Sequence, residues 1–445
     1  MRRIYTAIVM LFMLAGIGVV AAEPITLEDA RSLALANSSS LAKYNLNLES
    51  ARLDEKTRVY GLLPSLSLGV SASGQLWGEP ELADSLRTGA SLSVSQKLFD
   101  GGKNSYRKAI NAIAAETVRQ DALAAYFTVL DSADSAYYEL LKAEAAAETA
   151  RAALETVALA LSMAELRLQN GMISRGDYLK ALADQGNRET ALNRALRNLS
   201  VSRETLKNIT GLGEIPEPQA IDFDAYEGII RFLSALPEDS IAILMENFSA
   251  AAKANNPGFL KSSLQLQAAE RNVGLAKKDY LPSFSAGVSA GINYSAAGGL
   301  SYSGGGLSLS GSIPLDYWLI GTAVEKKRLA QTEAALNHRD AENTLGVDIQ
   351  TALLDLAGYA LAAQSARRAD EYARQSYDYN RELYSLSQAS VSALSEAAAQ
   401  AVSSHAERLA AEYGFLDGLS KLRSLGAFAS QDEVIDLLMQ SRSMP

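Results

Sequence analysis

Four short stretches of the chain alternate serine or glycine with aliphatic residues: Ser65–Ser73, Ser91–Ser95, Ser283–Ile292 and Leu307–Ser310. A period of two puts every apolar side chain on one face of a strand and every small polar one on the other. The apolar set is Leu66, Leu68, Val70, Leu92, Val94, Phe284, Val288, Leu307 and Leu309, and the facing set includes Ser67, Ser71, Ser93, Ser95, Ser285 and Ser289. A soluble sandwich would fill its inner face with larger residues. A tiny, wettable face opposite an aliphatic one suits a strand with lipid outside and water inside. The apolar set is therefore expected to face lipid.

The remainder reads as helix. No proline occurs from Glu81 to Ile215 or from Leu315 to Met444, and both regions are rich in Ala, Leu, Glu, Gln, Arg and Lys, the strong helix formers. Four membrane strands cannot close a barrel, which needs about eight, and an open edge in lipid is not viable. The barrel must be completed by further copies of the chain.

The halves repeat at an offset near 218. Leu63-Pro64-Ser65 matches Leu281-Pro282-Ser283, and Gly69-Val70-Ser71-Ala72 matches Gly287-Val288-Ser289-Ala290. A repeat this large is a whole structural unit. The first, 23–213, is expected to hold a helix to about Tyr60, strands at 65–76 and 89–98, a long helix 103–169 and a helix 175–208. A Pro-containing linker, 214–240, follows. The second repeat, 241–425, is expected to hold a helix 241–279, strands 282–294 and 305–315, a long helix 319–386 and a helix 391–425, with a tail at 426–445. The long helix, at 1.5 Å per residue, would reach about 100 Å, roughly three times a ~30 Å hydrocarbon core. The shorter helices, stacked end to end, would run alongside it.

Composition narrows the setting. Residues 1–22 have the form of a secretory leader: Arg2-Arg3, an uncharged run from Ile4, and Val20-Ala21-Ala22 before Glu23. No later uninterrupted apolar run is long enough to span a bilayer as a helix. The chain has no cysteine, which excludes disulfides, thiolate metal sites and a lipid on an N-terminal Cys. Its net charge of −10 argues against nucleic acid as a partner. Candidate interface aromatics flank the strands, with Phe99, Tyr317 and Trp318 on the helix side and Trp77, Tyr294 and Tyr302 on the other, as expected of girdles at two membrane interfaces. Lys97 falls on the serine face. His338 and His405 lack partners at ligand spacing and read as surface residues. There is no nucleophile-and-base constellation and no metal motif, so neither catalysis nor a cofactor is expected.

In its leader, its duplicated layout, its Leu-Pro-Ser strand entries, the exit Leu98-Phe99-Asp100-Gly101-Gly102 and the turn Leu168-x-x-Gly171-x-x-Ser174-x-x-Asp177, the chain resembles the TolC-like outer-membrane efflux proteins. The resemblance implies a mainly α fold with membrane β. Tandem helical hairpins would build a periplasmic α-barrel, and four strands per chain would enter a shared twelve-stranded barrel of a homotrimer in the outer membrane. It also implies a passive exit duct for a tripartite efflux or type I secretion-like system. Its partners would be outer-membrane lipid, a periplasmic adaptor, and an inner-membrane pump met directly or through the adaptor. The turns Gly171, Met172, Ile173, Ser174 and Ser387, Gln388, Ala389, Ser390 would then form the periplasmic tips where the adaptor docks, and Asp177 and Glu396 could ring the entrance. The second repeat departs from the pattern: Ser387 stands where the first has Gly171, Ala393 where it has Asp177, and Ser385–Ser395 carries no charge. The competing readings are a structural coiled-coil envelope protein without transport, which needs no lipid-facing strand, and a secreted enzyme on a helical scaffold.

Overall fold

A computed structural model describes residues 24–74, 87–235, 238–295, 298–386 and 388–440. The expected leader, Trp77 and Ser387 lie outside these residues. The elements are α1 Leu27–Asn37, α2 Ser39–Tyr60, β1 Ser65–Ser73, β2 Arg87–Phe99, α3 Lys103–Gln169, α4 Arg175–Thr210, α5 Glu227–Ser234, α6 Glu238–Asn255, α7 Pro257–Lys277, β3 Ser283–Ser295, β4 Gly299–Ser312, α8 Tyr317–Ser385, α9 Val391–Gly426 and α10 Gln431–Gln440. They divide into two compact units. One holds the residues up to Ala42, Leu123–Pro257 and those from Glu342; the other holds Lys43–Ala122 and Gly258–Ala341.

Two expectations need correction. The first helix of each repeat is broken, after Asn37 and after Asn255. Ser38 caps α2 by accepting from Leu41 N–H at 3.3 Å, and Pro257 opens α7 and disfavours helical backbone at Asn256 before it. Asn37 Nδ2 donates to the carbonyls of Asn208 and Ile209 at the end of α4, at 3.2 and 3.3 Å. Asn256 Nδ2 does the same to Leu425 at the end of α9, at 3.0 Å. Each asparagine satisfies carbonyls that a helix end leaves open. Strand β4 begins at Gly299 rather than 305, because a bulge between Ala290 and Ile292 re-registers its partner and lets the pairing continue past the glycines. Separately, α8 contains one stretch that by length and composition could cross a bilayer, a third of it buried, though Asp348 and Asp355 interrupt its apolar run. Ile349, Ala352, Leu353, Leu356 and Ala360 of that helix are core residues.

The first unit packs around Tyr137, Tyr138 and Leu140 of α3, Leu206 of α4, and Phe415, Leu416, Leu419 and Leu422 of α9, all buried. Along the C-terminal part of α3 the buried positions Ala153, Val157, Ala160 and Ala164 recur at intervals of four, three and four, the spacing of a coiled-coil seam. The inter-repeat segment is tied to the N-terminal end, where Ile25 bridges Pro218 in parallel. The Tyr137 hydroxyl donates to the carbonyls of Ile25 and Gln219, both at 2.8 Å. The short helices α5 and α10 each bury one apolar side through Ile229, Ile230 and Leu233, and through Val434 and Leu438.

A charged network lies inside this core. Asp134, fully buried, accepts from Arg31 Nε at 2.5 Å and Nη2 at 2.9 Å, and from Ser420 Oγ at 2.8 Å. Arg423 Nη2 is 3.0 Å from Asp134 and also donates to Asp131 at 3.0 Å. Two carboxylates thus face two guanidinium groups. Burial nonetheless pushes the Asp131 carboxyl up, against the opposing pull of Ser424 and Arg423.

In the second unit α2, α3, α7 and α8 flank the sheet. Arg58 joins α2 to Asn104 of α3 at 2.8 Å. Lys103 joins α3 to Asp279 at 2.7 Å. Gly274 of α7 lies under the Tyr106 ring so closely that a Cβ would sit 2.3 Å from it. Ala276, Ile320 and Val324 form a small core with Tyr280 against it.

Candidate functional site: a two-faced sheet and two helical turns

The sheet is four-stranded and antiparallel in the order β1-β2-β3-β4. The register fixes which residues share a face. Val94 is opposite Leu66 and Val288, Val288 is opposite Leu307, Leu92 is opposite Leu68, and Ala286 is opposite Leu309. The nine aliphatic and aromatic candidates therefore lie on one face, where Leu68, Val70, Leu307 and Leu309 are each at least 71% exposed within the single chain. The other face is serine and glycine. Ser67 and Ser93 share a hydrogen bond at 2.6 Å, and Ser285 and Ser310 share one at 2.8 Å. Glycine on this face lies close to its neighbours: a Cβ on Gly287 would meet Ser308 Oγ at 2.8 Å and one on Gly89 would meet Asn293 Oδ1 at 2.6 Å, so those side chains would have to turn away. Lys97 is opposite Ser285 and Arg87 is opposite Ser73 and Ser295, which puts both cations among the serines.

Aromatic residues mark both ends of the apolar face. Phe99 is opposite Phe284, with ring centroids 6.3 Å apart. Tyr317 stacks on Tyr280 at 5.9 Å beside Trp318, which is exposed. Tyr294 and Tyr302 lie toward the β3–β4 turn. Phe284 and Tyr294 are about 33 Å apart along β3 at ~3.3 Å per residue. A strand tilted by ~40° converts that to about 25 Å, the height of the apolar band of outer-membrane barrels. The outer edges of β1 and β4 have no strand partner among the described residues. Beside β1, α2 has no buried residue and carries exposed Leu46 and Leu53, while α8 carries exposed Leu329 and Leu336.

The turns lie in the other unit. Gly171 has φ +71°, a backbone state that L side chains adopt with strain. Met172 N–H reaches back to the Arg167 carbonyl at 2.8 Å and Gly171 N–H to Leu168 at 3.0 Å, the Schellman closure of a helix end. Ser174 then caps α4, accepting from Asp177 N–H at 3.1 Å and donating to its carboxylate at 2.8 Å. Asp177 is thus engaged by Ser174. In the second turn Gln388 N–H reaches Leu383 at 2.8 Å and Ser390 caps α9 by accepting from Ala393 at 3.1 Å. The two turn sequences share the backbone bond from Met172 and from Gln388 to the carbonyl five residues earlier. Glu396 is exposed and accepts from Ser392 at 3.4 Å.

Sequence reasoning missed what joins the two hairpins beside these turns. Buried Tyr384 donates to the Ala160 carbonyl at 3.0 Å, and Arg167 lies 4.6 Å over its ring while donating to its carbonyl at 2.9 Å. The Thr156 and Tyr377 hydroxyls meet at 2.7 Å. Ser395 donates to Asp184 at 2.6 Å and Arg188 donates to the Ser395 carbonyl. The seven-residue spacing of Tyr377 and Tyr384 was the available signal, since it puts both on one helix face. Nearer the middle of the second hairpin, Asp370 gathers Arg374, His405 and Arg408 at 3.0–3.3 Å. His405 is accordingly a packing group, and so is His338, which bonds Ser262 at 2.8 Å and lies 4.9 Å from the Phe259 ring. The surface reading of both histidines is corrected. No cluster able to hold a metal ion occurs among the described residues.

The family model described as "Outer membrane efflux protein" matches residues 30–212 and 249–426. No curated protein matches the sequence. Among solved structures, CusC, studied for its folding and transmembrane channel formation, aligns at TM-score 0.74 and 16% identity over 94% of this chain and 95% of its own. The Campylobacter jejuni outer membrane channel CmeC aligns at 0.73 and 16% over 94% and 90%. The Vibrio cholerae outer membrane protein VceC aligns at 0.69 and 16% over 90% and 96%. At these identities the likeness is one of fold.

Proposed function

The chain belongs to the outer membrane efflux protein family, and from that premise we propose that it is the passive exit duct of a tripartite export machine, closed into a barrel by three copies. One observation carries the reading: a four-stranded sheet with an aliphatic face, a serine-glycine face and two edges unpaired among the described residues. Open edges cannot persist in hydrocarbon, where each unpaired backbone group costs several kcal/mol. Two copies would give eight strands, enough for an interior wide enough only for side chains or one small ligand. Three give twelve and a water-filled lumen. The exposed leucines of α2 and α8 fit neighbouring copies on both flanks.

On this reading the aliphatic set faces lipid, Phe99, Tyr294, Tyr302, Tyr317 and Trp318 sit at the two membrane interfaces, and the serine face lines the lumen. The turns Gly171–Ser174 and Gln388–Ser390 form the periplasmic mouth and the adaptor-docking surface. Asp177 and Glu396 lie near the entrance. Energy for transport comes from the inner-membrane pump, so no hydrolysis is assigned to this chain. A purely structural envelope protein has no use for a sheet with one lipid-compatible face. The test is conductance: purified protein added to a planar bilayer should give discrete, long-lived channels. Protein that assembles yet never conducts would refute the duct.

A further inference from the structure

The four strands contain two ionisable charges, Arg87 and Lys97, both cationic and both on the serine face of β2. No strand contributes a carboxylate. The aliphatic face is uncharged. The two cations stand about 33 Å apart along the strand, one toward each end. Neither belongs to a described ion pair, and Lys97 has only Ser285 opposite it. Its other neighbours on this face, Ser95, Ser283 and Gly287, are small and neutral. Among the described strand residues no carboxylate offsets its charge.

We propose that Lys97, seconded by Arg87, makes the strand-lined exit favour small anions such as chloride over cations, opposite in sign to the carboxylates Asp177 and Glu396 near the entrance. The proposal rests on the reading of the serine face as lumen. Twelve strands spaced ~4.8 Å apart and tilted by ~40° enclose a backbone radius of about 12 Å. Serine and glycine leave that space open. A lysine extending inward brings its ammonium well inside the radius, and a Debye length of about 8 Å at physiological ionic strength carries its field to the axis. Three copies place three ammonium groups at one level, the arrangement that selects anions in pores lined by Lys or Arg rings. Lys97 is the better test of the two, because the sequence joining β1 to β2 beside Arg87 also contains Glu79, Glu81 and Asp84.

The absence of cysteine from the chain permits a single-site experiment on the full protein. The Lys97→Glu, Lys97→Gln and Lys97→Cys variants are reconstituted in planar bilayers under a potassium chloride gradient, and the reversal potential is read. Lys97→Glu should lower the chloride-to-potassium permeability ratio by about twofold or more, with Lys97→Gln between it and the parent. A thiosulfonate bearing a quaternary ammonium, added to the open Lys97→Cys channel, should restore the parent ratio. One bearing a sulfonate should lower it further. Conducting channels whose reversal potential is the same in all variants, before and after modification, would overturn the proposal. Conducting Lys97→Cys channels whose thiol is not modified from water would instead overturn the assignment of the serine face to the lumen, and the proposal with it. If Lys97→Glu fails to assemble, Lys97→Gln and the modified Lys97→Cys channel decide.

Discussion

Replacing Asp134 by alanine should destabilise the protein by about 3–5 kcal/mol. Its carboxylate is fully buried, takes a two-pronged pair of bonds from Arg31, and lies 3.0 Å from Arg423. Arg423 cannot turn to water, its side chain being 2% exposed, and that of Arg31 is only 15% exposed. With Asp134 in place the cluster of Arg31, Arg423, Asp131 and Asp134 is neutral. Without it one positive charge stays in the core, and the cost of an unpaired buried ion far exceeds that of a lost neutral hydrogen bond, about 1 kcal/mol. Glu28 supplies the contrast, because it also pairs with Arg31, at 3.3 Å, but is 82% exposed; Glu28→Ala should cost under about 0.5 kcal/mol. The assay is urea unfolding of the detergent-solubilised protein followed by circular dichroism at 222 nm. Removing Arg31 together with Asp134 should cost clearly less than the two single losses summed. An Asp134→Ala protein within about 1 kcal/mol of the parent would refute the claim that this buried charge balance holds α1, α3 and α9 together.

Arginine at Val288 should cost about 2–4 kcal/mol and cut assembled protein in the membrane, while arginine at the adjacent Ser289 should be tolerated; equal yields on urea-extracted membranes would contradict the face assignment. At Gly171 a Cβ would have open space, so only the positive φ penalises a side chain there. Gly171→Glu should therefore leave assembly intact, seen on a heat-modifiability gel, yet abolish export in a cell-based efflux assay; normal efflux would remove the turn from the docking surface. Ala427 caps α9 at φ +51°, the one positive φ of a non-glycine among the described residues. Ala427→Gly should raise stability by about 1 kcal/mol in the urea assay, and a loss would mean that the methyl group is packed.

The strands were the most legible part of the chain. Alternation at Ser65–Ser73 and Ser283–Ile292 decides a face residue by residue, because the side-chain period of a strand is two. The long helices were legible from proline-free, Ala-rich composition, but the breaks in the first helix of each repeat were missed. Pro257, which opens α7 and disfavours helical backbone at Asn256, was a local signal for the second break. The bonds from Asn37 and Asn256 to partners 171 and 169 residues away were not readable locally. The charged core was hidden for a related reason: Arg31, Asp134 and Arg423 look like ordinary solvated positions on three separate helices until packing brings them together. Gly171 and Ser390 were readable because caps are local. Tyr384 and Arg167, which join the hairpins beside those caps, lie 217 residues apart in sequence.

The central claim is that the barrel closes only between chains. Native mass measurement on detergent-extracted full-length protein tests it most directly. The account predicts a particle of three chains that survives extraction and falls to one on boiling. A stable, detergent-soluble particle of a single chain would contradict it, because the edges of β1 and β4 would then have to remain open.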